Sequence, residues 1–230
     1  MILSIETATD VCSVALHNEG QLLASFALHL PQAHGKHLAS LIDKLKQELS
    51  LDLRQLSAIA VSKGPGSYTG LRIGVATAKG LCYALQKPLI AVNTLEAMAY
   101  SARQYNLIQD AWICPMIDAR RMEVYCMLID HRGKVQSPTE AKIIDKDSFS
   151  ELLSERYVIF CGNGMPKCRS LLEKHERALF MDHVVPHAEA VGALAWQRFQ
   201  EGAFEDVAYF EPFYLKDFIA GKPKSKINPQ

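Results

Sequence analysis

The sequence has no surplus charge of either sign, since 25 Lys and Arg balance 25 Asp and Glu. Proteins that coat nucleic acid draw their affinity from neutralising phosphate, so that class is disfavoured. A role in a nucleic-acid pathway through partners stays open, and low self-repulsion favours association. Long apolar runs are also missing. No stretch approaches the ~20 residues that cross a bilayer. The opening Met1-Ile2-Leu3-Ser4-Ile5 has no basic leader and meets Glu6 at once. Neither a membrane association nor an export signal is expected, and the expected location is the cytoplasm. Paired cysteines are absent too: Cys12, Cys82, Cys114, Cys126, Cys161 and Cys168 form no CxxC. Most sit in apolar runs and read as buried small hydrophobes rather than disulfide or zinc partners.

What is present is a glycine-rich run, Lys63-Gly64-Pro65-Gly66-Ser67-Tyr68-Thr69-Gly70-Leu71-Arg72-Ile73-Gly74, between an apolar strand at 58–61 and an apolar helix over about 70–85. Glycine permits positive φ and close approach, and a helix start offers unpaired N–H groups to an anion. The run fits neither GxGxxG nor GxxxxGK[ST], so two readings stay open: a phosphate cradle or a tight turn that lets helices pack closely. Gly70, Gly74, Thr77, Ala78 and Leu81 share one helical stripe. Two helical glycines cost about 1 kcal/mol each relative to alanine. The stripe therefore serves packing on the chain's own sheet or a helix–helix interface with a partner.

With 230 residues the chain can form one large domain or two small ones. Residues 2–5, 11–16 and 21–28 read as three antiparallel strands, followed by a helix over 34–49. Strands at 58–61 and 89–92 flank the long helix, which signals an α/β layer fold. The theme then restarts with strands at 112–118 and 122–129, a helix near 147–154 and a strand at 157–160. A turn at Cys161-Gly162-Asn163-Gly164 and helices near 166–175 and 188–202 complete it. Two related halves follow: an N-terminal lobe over 1–103 and a C-terminal lobe over 104–220. The helix at 188–202 is expected to pack back on the first lobe, and 221–230 reads as a flexible tail.

Three stretches together resemble the TsaB (YeaZ) family of the acetate kinase/Hsp70/actin-like superfamily. They are Ile2 to Thr9 with Cys12-Ser13-Val14-Ala15-Leu16, then Lys63 to Gly74, then Ile117-Asp118-Ala119-Arg120 with Glu123-Val124-Tyr125. Pro212-Phe213-Tyr214-Leu215-Lys216 resembles the family's closing motif. The resemblance implies a two-lobed actin-like ATPase fold of the ribonuclease H-like α/β class. It also implies a role in making N6-threonylcarbamoyladenosine in tRNAs that read codons beginning with adenine. In that family setting TsaD carries the transfer chemistry, a TsaB protein binds TsaD as a heterodimer, and TsaE joins them as an ATPase. Contact with tRNA would be indirect, through the complex, and a homodimer stays open.

The resemblance also says what to test for chemistry. TsaD carries an HxxxH metal motif in the context Asn-His-Leu-Glu-Gly-His, and the matching residues here are Asn93-Thr94-Leu95-Glu96-Ala97-Met98. A hydroxyl and a thioether are poor substitutes for imidazole, so no metal site is expected. The second phosphate turn, glycine-rich in the superfamily, is Asp118-Ala119-Arg120-Arg121-Met122 here, and its Cβ atoms disfavour positive φ. No catalytic residue and no resident cofactor are expected, with an adenine nucleotide at an interface left open. Thr7, Thr9, Gly64 and Gly66 mark a vestigial anion site. Tyr68, Gly70, Arg72, Gly74, Thr77, Ala78 and Leu81 mark a partner interface, Tyr and Arg being common interface anchors. His34 and His37 read as exposed or capping rather than metal ligands, and Pro186 separates His183 from His187. Lys222, Lys224 and Lys226 read as a solvated tail, with tRNA contact as the alternative. The rival to a scaffold and activator is a metal-dependent glycopeptidase or an ATPase or kinase of the same superfamily.

Overall fold

The computed structural model describes residues 1–31 and 34–216. The expected tail at 221–230, with its three lysines, lies outside them. The first half opens with strands β1 (Ile2–Glu6), β2 (Val11–Asn18) and β3 (Gln21–His29), an antiparallel meander. Helix α1 (His34–Glu48) follows, then β4 (Ala58–Gly64), α2 (Tyr68–Leu85), β5 (Leu89–Asn93) and α3 (Thr94–Gln104). Strands β4 and β5 run parallel to β1, giving the order β3-β2-β1-β4-β5.

The second half repeats that plan. Strands β6 (Trp112–Asp118), β7 (Glu123–Ile129) and β8 (Val135–Ile143) form a second antiparallel meander. Helix α4 (Ser150–Glu155), β9 (Val158–Cys161), α5 (Met165–Leu172), β10 (Ala178–Met181) and α6 (Ala188–Gln200) complete it. Strands β9 and β10 are parallel to β6, and the sheet order is β10-β9-β6-β7-β8. Both sheets thus share one order and one set of strand senses. Strands β8 and β10 were not expected from the sequence.

Alternation along β1 and β2 assigns the two faces of the first sheet. Leu3, Ile5, Cys12, Val14 and Leu16 pack under α1 (Leu38, Leu41, Ile42, Leu45) and α2 (Val75, Ala78, Cys82). The opposite face, with Ile2, Ala58, Ala60, Ile90 and Val92, receives Ala190, Val191 and Ala195 of α6. Helix α6 therefore crosses back onto the first sheet, and its Ala188 N–H donates to Ser13 Oγ at 3.0 Å. Helix α3 joins the halves. Its Ala97 faces the first sheet, while Leu95, Met98, Ala99 and Ala102 pack with Ile113, Ile117 and Ile129 of the second. All six cysteines are buried free thiols. No helix among the described residues is long and apolar enough to cross a membrane.

Candidate functional site

The glycine run meets the β1–β2 turn, and its glycines are used there. Thr7 Oγ1 donates to Gly70 O at 2.8 Å, and Ser67 N–H donates to Ala8 O at 2.7 Å. A Cβ on Gly74 would collide with Thr7 Oγ1, one on Gly70 with Thr7 O, and one on Gly66 with Ala8 O. These glycines let α2 sit directly on the turn. From the other side comes the closing segment: Phe213 N–H donates to Lys63 O at 2.7 Å, and a Cβ on Gly64, at φ +111°, would lie 2.8 Å from Phe213 O. A phosphate needs open space in front of its backbone donors. Here Ala8, Thr7 and Phe213 fill it. Among the described residues the glycine run is thus packed by the chain's own turn and closing segment.

Glu6 ends β1 inside this packing. One carboxylate oxygen accepts Ala8 N–H at 2.6 Å, and the other is buried without a partner among the described residues. Burial pushes its carboxyl up to about 7, outweighing the Ala8 hydrogen bond that pulls it down. Thr9 Oγ1 is also buried and unpaired among the described residues.

The start of α3 occupies the place of the metal motif. Asn93 caps the helix by accepting Leu95 N–H at 2.8 Å. Thr94 Oγ1 lies 2.7 Å from Ser62 Oγ. Met98 is fully buried in the apolar cluster between α3 and the second sheet, its methyl pressed on Gly162. Neither donor is available to iron or zinc. No cluster of three or more His, Cys, Asp or Glu suited to a metal occurs among the described residues.

The second turn departs from expectation. Arg120 and Arg121 both adopt positive φ, +71° and +47°. Hydrogen bonds hold the turn there: Arg120 N–H to Asp118 Oδ1 at 2.8 Å, Glu123 N–H to Arg120 O at 3.1 Å, and Ala119 N–H to Glu123 O at 3.1 Å. Side-chain bulk makes this conformation costly, about 1–2 kcal/mol per residue, but does not forbid it. Behind the turn, Gly162 at φ +95° packs against Met116 O, so the 161–164 turn serves contact between strands β6 and β9.

The predicted interface residues divide between two sides of α2. Gly70, Gly74 and Ala78 are buried toward the chain's own turn and sheet. Leu81 is half-buried against the same core, and Thr77 Oγ1 donates to Ile73 O at 2.8 Å. The Tyr68 and Tyr214 rings meet at a tilt of 37° with centroids 5.0 Å apart, and the exposed Arg72 guanidinium lies 4.7 Å over the Tyr68 ring. The outward stripe is Arg72, Ala76, Gly80, Tyr83 and Ala84. Tyr83 is 78% exposed, and a Cβ on Gly80 would meet nothing within 4 Å. Its spacing of i, i+4, i+8, i+11 and i+12 is as regular as the inward stripe and was readable by the same rule. His34 is buried where an exposed or capping residue was expected. The start of α1 packs on the start of α2, placing the His34 ring beside Gly70.

The family profile described as "TsaD: tRNA N6-adenosine threonylcarbamoyltransferase" matches residues 29–224. The tRNA threonylcarbamoyladenosine biosynthesis protein TsaB of Escherichia coli is 32% identical over 229 residues, covering 96% of both chains. The chain belongs to the TsaB (YeaZ) family. YeaZ from Pseudomonas aeruginosa aligns with a TM-score of 0.77 at 27% identity, covering 93% of this chain and 99% of that one. A more distant structure, the activator of the 2-hydroxyisocaproyl-CoA dehydratase from Clostridium difficile, aligns with a TM-score of 0.52 at 9% identity, covering 88% of this chain and 96% of that one. That likeness concerns the fold alone, a two-lobed α/β architecture. The TsaB family member described here keeps this architecture while Thr7, Ala8 and Phe213 close its glycine run.

Proposed function

We propose that this chain is a non-catalytic scaffold and activator in N6-threonylcarbamoyladenosine modification of tRNA, acting as the partner of TsaD. The observation that carries the reading is the division of α2. Its inward glycines are consumed by Thr7, while its outward face presents small residues and Tyr83 to solvent. Small residues admit a second helix closely, and an exposed tyrosine is a common interface anchor. TsaD is the proposed occupant of that face, and in its absence a second copy of this chain can take the place. TsaE joins the assembly of the two, and the site of action is the cytoplasm. Two lobes, 1–103 and 104–220, with α6 returning to the first, form the scaffold. Because the glycine run is filled, an adenine nucleotide in the assembly would rest on a partner's residues.

Gly80→Arg tests this. The position is open, so arginine is tolerated and gains helix propensity worth about 1 kcal/mol. In size-exclusion chromatography with TsaD, the wild-type chain is expected to co-elute and Gly80→Arg to elute alone with an unchanged circular dichroism spectrum. A variant that still forms the heterodimer would move the interface elsewhere. Stoichiometric iron or zinc, or robust ATP hydrolysis by the purified chain, would favour the enzyme reading instead.

A further inference from the structure

Helices α3 and α6 lie on the face of the first sheet opposite α2. Where they meet the β7–β8 hairpin of the second sheet they leave a cavity of about 250 Å³. At roughly 30 Å³ per water, that is room for a molecule of about ten non-hydrogen atoms. Its walls are chemically uneven. Ala99, Ile129, Leu194 and Val135 make an apolar side, and the charged residues are Glu96, Arg103, Arg198 and Glu201. Glu96 and Arg198 neutralise each other in a half-buried ion pair. Glu201 stands exposed at the end of α6. Arg103 is left over: it is half-buried, and its guanidinium makes no hydrogen bond or ion pair among the described residues.

That guanidinium is also held in position. A Cβ on Gly133 would collide with Arg103 Nη1, so the hairpin carries a glycine, at φ +89°, where the guanidinium rests against it. The acids nearest in the chain to this turn are committed elsewhere. Asp130 accepts the N–H groups of Arg132 and Lys134 at 2.9 Å each and the Gln136 amide at 2.8 Å. Asp110 lies 3.4 Å from His131 Nε2. An unpaired charge drawn part-way out of water is costly, and a charge-assisted hydrogen bond to an oxyanion offsets that cost. Glu201 needs no such partner, because water reaches it. The cavity therefore selects an anion over a cation.

We propose that this cavity binds a small organic anion, with its carboxylate or phosphate on Arg103 and its apolar body on Ala99, Ile129, Leu194 and Val135. The planar fork of arginine suits either oxyanion. The walls come from both halves of the chain, so an occupant braces α3 and α6 against the second sheet. The site is separate from the outward face of α2 and does not depend on which partner covers that face.

The test uses the purified full chain at constant, low ionic strength. Benzoate and phenyl phosphate are the probes, and benzamide is the neutral counterpart of benzoate. Calorimetric titration is expected to show one saturable site for at least one of the two anions. The thermal midpoint should rise by about 3–6 °C at ten times the dissociation constant. The tighter of the two anions tells carboxylate from phosphate as the preferred head group. Arg103→Met breaks no hydrogen bond or ion pair of that guanidinium among the described residues, so the unliganded midpoint is expected to hold. The same variant is expected to weaken anion binding at least about tenfold. Glu201→Lys changes only the exposed rim and is expected to tighten binding about threefold. Binding of neither anion, benzamide binding as tightly as benzoate, or an unchanged dissociation constant in Arg103→Met would overturn the proposal. If Arg103→Met fails to fold, Glu201→Lys decides the matter: unchanged or weakened anion binding in that variant overturns it.

Discussion

Gly74 of α2 and Thr7 of the β1–β2 turn occupy one shared space: the glycine has no room for a Cβ because Thr7 Oγ1 stands there. That hydroxyl is held in place by donating to Gly70 O at 2.8 Å, one turn earlier on the same helix. Gly74→Ala is therefore expected to act on folding before it acts on assembly. Overpacking of this kind costs about 2 kcal/mol, or roughly 4–8 °C in the melting temperature of a chain this size. Combining it with Thr7→Ala should cost less than the sum of the two single changes. Calorimetry on the four proteins gives the coupling, and strict additivity would show that the two residues do not compete.

Glu6 makes stability depend on pH. Its carboxyl is raised from 4.5 to about 7 by burial, so the folded chain binds a proton that the unfolded chain releases. The stabilisation is full below about pH 4.5 and is lost as pH rises through about 7, amounting to something on the order of 3 kcal/mol. His17 and His187, lowered by burial, oppose it: their contribution is present above pH 6.5 and is lost as pH falls. Urea unfolding of Glu6→Gln from pH 5 to 8 should show a flatter fall toward high pH than the wild type. An identical profile for both proteins would place the titration elsewhere.

The thiols should be silent. Burial raises Cys12 to about 11 and Cys82 and Cys161 to about 12, and all six cysteines are buried. Thiolate, not thiol, is the reactive form. Ellman's reagent is expected to find no fast thiol in the folded protein and all six in guanidinium. A rapidly labelled cysteine under native conditions would contradict the packing of either sheet.

Met98 fills core where the resemblance places a histidine. Thr94→His with Met98→His restores the HxxxH spacing but drives an imidazole into the cluster against Gly162. The expected result is a loss of a few kcal/mol, as for other damage to a packed core, without stoichiometric metal. Elemental analysis showing one tightly held iron or zinc would contradict it.

How far the sequence could be read depended on the range of the contacts. The β1–β2–β3 meander, α1 and the β4–α2–β5 unit carry strong local patterns, and their elements fall close to where those patterns place them. Strand β8 was missed because it is a polar edge strand interrupted by Pro138, and β10 because it has four residues. The matching order of the two sheets would have demanded both. The side of α2 that faces inward was not legible, since small residues suit a partner's helix and the chain's own turn equally. The choice rests on Thr7, 63 residues from Gly70. The left-handed arginines were hidden for the opposite reason: propensity argued against a conformation that hydrogen bonds among Asp118, Ala119, Arg120 and Glu123 impose.

The central claim is that this chain contributes assembly and not chemistry. It is tested most directly by reconstituting tRNA modification from threonylcarbamoyl-adenylate, an unmodified tRNA and TsaD, with and without this chain. The account predicts little modified nucleoside without it, restoration by the wild type, and failure by Gly80→Arg at equal concentration. Full modification by TsaD alone, or modification by this chain without TsaD, would contradict it.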